Sequence, residues 1–520
     1  MLKKIFFALF FYTFFSCSNV VFAETNKKII YIPLDNRPVS LDYVVQTINF
    51  AGENLIIPPE TLLANNNHLG NPDELMHWLI KNCTRADYAV ISTDSLIYGG
   101  LVASRTHNEP LNVLLKRAQA LNIIRQTNPN LKIYAFSTLM RTPRKSNKFI
   151  EPPYYEYYGP DIFRLTALLD KETTLALTAL EIAEKNNLLL IIPEEFLSDW
   201  FSRRKKNLTI HNYLLDLYTN KAFHFYTIGK DDNAPYSQTH FEAKQLLKTL
   251  PQNIPANFKI IAGVDQLGLM LITRAINQNK KFSPAVFVQY TDGAGATTLP
   301  AYSDQHLYSS VEDQINLVNA QQTFALEEAD LVLVINTPFD GVTLDASNLK
   351  NTLVASLPTL KLVDKTKYFM TLQKKVAIAD VAFANGADNS FIFELNRAQL
   401  CQNLNAYSGW NTADNSIGYA LAQGILANHM SSEQKNLLLK IRLVDDWLYQ
   451  ANVRPKIVNR FFKNTPHEQY NLGSETTKIN SVISDDLIYK TKDYSIFQNF
   501  KFKTALPWQR LFEINVQPLA

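Results

Sequence analysis

Cysteine is scarce: three stand in 520 residues, at positions 17, 83 and 401. No CxxC pair and no Cys/His cluster is present, which excludes a structural zinc framework. The nine histidines form no obvious metal pair, and neither a metal nor another cofactor is expected. Excess charge of one sign is also lacking, since 51 Lys and Arg face 48 Asp and Glu for a formal net charge of +3. The single basic run, Arg203-Arg204-Lys205-Lys206, reads as a solvated face, so nucleic acid is not an expected partner. The GxSxG elbow, the HExxH zinc helix and the GxxxxGK[ST] phosphate loop are all absent. Gly293-Ala294-Gly295 begins like a dinucleotide fingerprint, but Thr298 stands where the third glycine belongs. Beyond the first residues no long apolar run occurs, so the mature chain is expected to have no stable membrane span.

What is present begins with an export signal. Lys3 and Lys4 precede an apolar run over residues 5–15, and Val21 and Ala23 are small residues before Glu24. The pattern predicts a signal peptide over 1–23, cleaved after Ala23, and a periplasmic or secreted protein. The alternatives are a membrane anchor and a lipoprotein attached through Cys17. The run 5–15 is short for a span, and Phe14-Phe15-Ser16 lacks the usual branched aliphatic residue. After cleavage Cys83 and Cys401 remain, either bonded or as two buried thiols. Aromatic residues make up 12% of the chain, with 31 Phe and 24 Tyr. Flat rings of this kind fill cores, and they also stack on sugar faces.

Short apolar runs at 29–32, 55–57, 88–92, 132–136, 223–228, 258–262, 285–289, 331–335 and 376–379 read as strands. Helical stretches lie between most of them, among them 112–126, 171–186, 237–250, 266–277 and 308–321. This alternation predicts an α/β fold with parallel strands joined by crossovers. A (β/α)8-barrel-like core is favoured over an open doubly wound sheet, because polar residues follow strand after strand and a barrel gathers its strand ends in one ring. The core domain is placed at 24–425. A C-terminal helical region and appendage follow at 426–520; helices are expected at 417–429, across that boundary, and at 433–450, with a β-like run at 484–489. Glu151-Pro152-Pro153 and the tyrosines after it mark a long insertion beyond the fourth strand.

The candidate chemistry sits at strand ends. Asp35 and Arg37 follow the first strand, Asp94, Tyr98 and Arg105 the third, and Arg141 and Arg144 the fourth. Asp231 and Asp232 follow the fifth, with Tyr236 just beyond, and Asp265 follows the sixth. Any single Asp here could be a turn or helix cap; the repetition at one kind of strand end points to a site. Where the chain turns, adjacent carboxylates can converge on one ligand and separate in pKa, giving an acid and a base. That is what glycosidic cleavage needs. Locally the pair resembles the neighbouring aspartates of barrel N-acetylhexosaminidases, in which one orients the substrate acetamide and the next is the general acid. Trp410 and Asn411 form a second element, a stacking ring beside a hydroxyl-binding amide.

Five segments together resemble one family. They are 31–38 with Asp35, Arg37 and Pro38; 94–105; 229–236 with Asp231 and Asp232; 262–266 with Asp265; and 407–415 with Trp410 and Asn411. The order and length of these motifs are similar to those of the bacterial DUF4127 family, across nearly the whole mature chain. The resemblance implies no established reaction. It also implies Ala at the position of Val264 and an acidic Glu at that of Gln266. An amide cannot serve as an acid, so Gln266 receives no catalytic role.

The expected function is an exported glycoside hydrolase acting on an envelope or extracellular glycan. Asp232 would be the general acid and Asp231 would orient substrate or stabilise positive charge. Asp35 and Asp94 would hold hydroxyls or assist a base, Asp265 would bind substrate, and Arg37, Arg105 and Arg141 would bind anionic or hydroxyl groups. Tyr98, Tyr236, Trp410 and Asn411 would line the sugar subsites. Two other readings compete. One is a non-catalytic saccharide-binding or envelope-assembly protein. The other is a divalent-metal ester hydrolase using Asp35, Asp94 and Asp231 as oxygen ligands.

Overall fold

The computed structural model describes residues 27–66 and 68–519. The expected signal peptide, its cleavage after Ala23 and the lipoprotein alternative at Cys17 lie outside the described residues. In chain order the strands are β1 (Lys28–Ile32), β2 (Asn54–Ile56), β3 (Tyr88–Ser92), β4 (Lys132–Leu139), β5 (Phe225–Lys230), β6 (Ile260–Ala262), β7 (Ala285–Tyr290) and β8 (Gln321–Thr323). β9 (Leu331–Asn336), β10 (Leu344–Asp345), β11 (Val376–Asp380), β12 (Phe383–Ala384), β13 (Ala406–Ser408), β14 (Phe502–Ala505) and β15 (Asn515–Pro518) complete the set.

The protein is a mixed α/β fold built on two parallel sheets. One has six strands in the order β2-β1-β3-β4-β5-β6, the other five in the order β13-β11-β9-β7-β8. Each sheet reverses direction once, beside β1 in the first and beside β7 in the second. Such a reversal opens a crevice at the carboxyl ends of the strands. No closed ring of strand pairs is seen among the described residues. β10 and β12 form a small parallel pair, and β14 and β15 an antiparallel one.

All nine runs expected as strands are strands. Their apolar continuity follows from cover on both faces: every residue of β9 and of β11 is buried. Helices Leu267–Asn279 and Ala413–Leu426 pack on each other in a core that also takes in side chains from both sheets. Ala413–Leu426 is buried at every position, as expected of a helix that is apolar round much of its circumference. The far face of the five-stranded sheet shares a core with the chain beyond residue 426, through Trp447, Ile483 and Val516.

Two local expectations are corrected. The helix expected at 171–186 is two helices, Tyr155–Glu172 and Ala179–Ile191. Thr178 caps the second by accepting from the Glu181 backbone, and the Glu181 carboxylate accepts from the Thr178 N–H. This reciprocal box starts a new helix where the apolar pattern runs on. The β-like run at 484–489 lies inside helix Thr476–Thr491, whose buried Ile479, Ile483 and Leu487 recur every four residues. The expected helix at 433–450 belongs to a longer continuous one. It runs through Ser432–Arg442, a π-helical segment Leu443–Val453 and Arg454–Phe461. Cys83 and Cys401 are buried free thiols. No helix of the described residues is long and apolar enough to cross a membrane.

Candidate active site

The carboxyl ends of both sheets border one cavity of about 900 Å³. β1 delivers Arg37, β4 Arg141, β5 Asp231 and Asp232, and β6 Asp265; the five-stranded side adds Asn385 and Asn411. The insertion after β4 supplies Arg144 and Phe163, and the C-terminal chain returns to add Arg454, Arg510 and Phe512.

Two ion-pair systems organise the wall. In the first, Asp35 accepts the backbone N–H of Arg37 at 3.1 Å and its Nε at 2.9 Å. This fixes the guanidinium so that Nη2 donates to Asp265 at 2.8 Å, while Asn411 donates to the other Asp265 oxygen at 2.7 Å. In the second, Arg105 pairs with Asp231, and Arg141 donates to Asp232 at 2.6 Å. Glu151 joins the two arginines: its Oε1 accepts from Arg141 Nε at 2.6 Å and lies 3.6 Å from Arg105 Nη1. Burial pushes the Asp232 carboxyl up and the Asp231 charge adds to this, while Arg141 opposes it. Burial likewise raises Asp265, with Arg37 opposing.

Four residues on this wall that are not glycine have left-handed backbones: Asp232 at φ 31°, Tyr302 at 67°, Asn385 at 60° and Asn411 at 79°. Asparagine and aspartate tolerate that region; Tyr302 is strained there, and such strain gathers at functional sites. Gly263, at φ 82°, turns the chain out of β6 toward Asp265. A Cβ at this position would lie 2.5 Å from Gln266 Nε2 and 2.8 Å from Asn415 Oδ1. Both groups are engaged, Gln266 with the Ala262 carbonyl and Asn415 with the Val264 N–H. Gly263→Ala is therefore expected to destabilise the fold by about 2 kcal/mol. Urea unfolding should show a lowered midpoint at unchanged slope.

Of the residues singled out in the sequence, Asp231, Asp232, Arg37, Arg105, Arg141, Arg144, Asp265 and Asn411 line the cavity. Asp35, Asp94, Tyr98, Tyr236 and Trp410 are set back from it. Asp35 is fully buried behind Arg37. Tyr98 stacks on His107 with ring centres 5.0 Å apart, Tyr236 meets His240 edge-on, and Trp410 packs on Phe512. The aromatic rings on the wall are instead Phe163, Tyr302, Tyr470 and Phe512. The aspartates proposed as metal ligands do not gather either, and no cluster of three or more His, Cys, Asp or Glu suited to a cation occurs among the described residues.

Asp94 is buried, and neither of its carboxylate oxygens has a partner in bonding geometry among the described residues. Burial pushes its pKa from 3.8 up to about 7; Thr138 nearby limits the rise and the Asp231 charge adds to it. The folded chain thus keeps this proton after the unfolded chain has released it. The stability it contributes is complete below pH 3.8 and is lost as pH rises through about 7. Asp94→Asn is expected to flatten the dependence of Tm on pH across that window and to raise Tm above it.

Sequence reasoning passed over Glu151, Tyr302, Asp345, Arg454 and Arg510. Glu151 heads the Pro-rich insertion that the sequence marks, and that was its one signal. No curated protein and no solved structure matches the chain. Residues 29–517 match the family described as protein of unknown function (DUF4127). The match spans both sheets, the insertion and the C-terminal return that closes the cavity, and the chain belongs to the DUF4127 family.

Proposed function

We propose that this protein is an exported glycoside hydrolase, with residues 1–23 as its signal peptide. Asp232 protonates the departing glycosidic oxygen. Asp231, fixed by Arg105, stabilises the positive charge that develops on the sugar or orients its acetamide. Asp265, held between Arg37 and Asn411, is the next carboxylate along the wall. The two sheets act together as a barrel-like cup, presenting successive strand ends to one ligand. A cavity of about 900 Å³ suits a short oligosaccharide.

The observation that carries the reading is the state of Asp232. It is the more open of the adjacent pair, with side-chain exposure of 19% against 8% for Asp231. Its carboxyl is also held above its usual pKa, as a general acid requires. One observation favours a second reading, a saccharide-binding protein without turnover: each central carboxylate, Asp231, Asp232 and Asp265, is already engaged by an arginine. Incubation with amino-sugar oligosaccharides and envelope glycan fragments separates the two. New reducing ends, made by the wild type in the presence of chelator and not by Asp232→Asn, support hydrolysis. Binding without new reducing ends supports the second reading.

A further inference from the structure

Most of the charge on the cavity wall is internally matched. Arg37 is answered by Asp35 and Asp265, Arg105 by Asp231, Arg141 by Glu151 and Asp232, and Arg510 by Glu513. These cations hold the aspartates in place and have little charge left for a ligand. Arg144, Lys145 and Arg454 also line the cavity, and none of the three has an ion-pair partner among the described residues. The same cavity is lined by one exposed carboxylate, Asp345, which accepts from Asn385 Nδ2 at 3.0 Å.

The two arginines are braced. Arg144 lies over the Phe163 ring at 5.3 Å, and Arg454 over the Phe512 ring at 5.0 Å. Arg454 Nη1 also donates to Gln450 Oε1 at 2.9 Å. A guanidinium resting against an aromatic ring keeps N–H donors free, and a pair of these matches an oxyanion with two parallel hydrogen bonds. Cations on a concave wall focus the field into the cavity and raise the local concentration of anions. A neutral glycan covering them would offer hydroxyl acceptors but no countercharge, so the charges would be desolvated without being neutralised.

Resting on the hydrolase reading, we infer that the substrate is an acidic glycan, whose carboxylate or sulfate group docks between Arg144 on the insertion and Arg454 on the C-terminal helix. This moves anion recognition away from Arg37, Arg105 and Arg141 and onto two arginines that pair with no aspartate among the described residues.

The test is calorimetric binding to the full chain carrying Asp232→Asn, so that no turnover intrudes. The probes are a uronate tetrasaccharide, its carboxyl-reduced neutral counterpart and a sulfated tetrasaccharide. An acidic probe is expected to bind at least about tenfold more tightly than the neutral one, with an advantage that shrinks as salt is raised. Adding Arg144→Gln and Arg454→Gln should abolish the advantage and leave the neutral probe unaffected. Which acidic probe wins identifies the oxyanion. Equal affinity for all three, or no binding of either acidic probe, overturns the inference. Failure of the hydrolase reading looks different: the charge preference persists while the wild type releases no reducing ends. Conversely, wild-type cleavage of the neutral probe as fast as the acidic ones removes the acidic substrate and leaves hydrolysis standing.

Discussion

Replacing Asp232 by asparagine is expected to lower kcat on a cleavable glycan by about 10²–10⁴-fold while leaving binding nearly unchanged. The amide oxygen can still accept from Arg141, which now donates to Asp232 at 2.6 Å, so the wall keeps its shape. What disappears is the proton. In the wild type, burial and the neighbouring Asp231 hold the Asp232 carboxyl above its usual range, and activity should fall on the alkaline side as that proton is lost. In Asp232→Asn the residual rate should lose this limb. Steady-state rates across pH, with binding measured in parallel, check both points; wild-type kcat in the variant would end the assignment. Asp231→Asn should behave differently, because it removes the countercharge of Arg105, whose side chain is only 5% exposed. A loss of stability should accompany its loss of rate.

The difference between these adjacent aspartates shows how far sequence reasoning reaches. That both follow a strand at the point where the chain turns is visible in the sequence, since the run before them is apolar and Asn233, Ala234 and Pro235 cannot extend it. Which of the two is the more exposed depends on Arg105 and Arg141, and on Glu151 between them. Those contacts join residues separated by up to 126 positions. The sheets were legible for a related reason. Strands covered on both faces, such as β9 and β11, are unbroken apolar runs, whereas edge strands such as β8 and β13 are three residues long and leave no such trace.

Tyr98 and Trp410 lie off the cavity wall for a physical reason as well. Tyr98 and Trp410 stand next to strand-end polar residues, and adjacency made them candidates for stacking on sugar. Both are buried, Tyr98 against His107 and Trp410 against Phe512. Phe512 and Arg510, which do reach the cavity, come from a segment with no polar strand-end signature. They arrive because the chain past 426 shares the core of the five-stranded sheet and returns between β14 and β15. Closure of this kind is a property of the packed molecule and has no local signal.

Glu151 offers the sharpest test of the paired-arginine arrangement. It is 1% exposed, and one of its oxygens serves both Arg141 and Arg105. Glu151→Ala would leave two guanidiniums in the wall with one carboxylate fewer, and breaking a buried pair in this way costs about 3–5 kcal/mol. A large fall in Tm is expected. Glu151→Gln keeps the shape and an accepting oxygen and removes only the charge, so the folded protein should survive for kinetics. The sign of its effect follows from Coulomb's law. Without Glu151 the two arginines act more strongly on their remaining partners, the anionic form of Asp232 is favoured, and its pKa falls. The alkaline limb of the rate profile should then move to lower pH, with KM for the glycan little changed. A residue that merely filled space would alter stability and leave that limb where it was, so an unmoved limb in a folded Glu151→Gln protein would separate Glu151 from the chemistry of the aspartates.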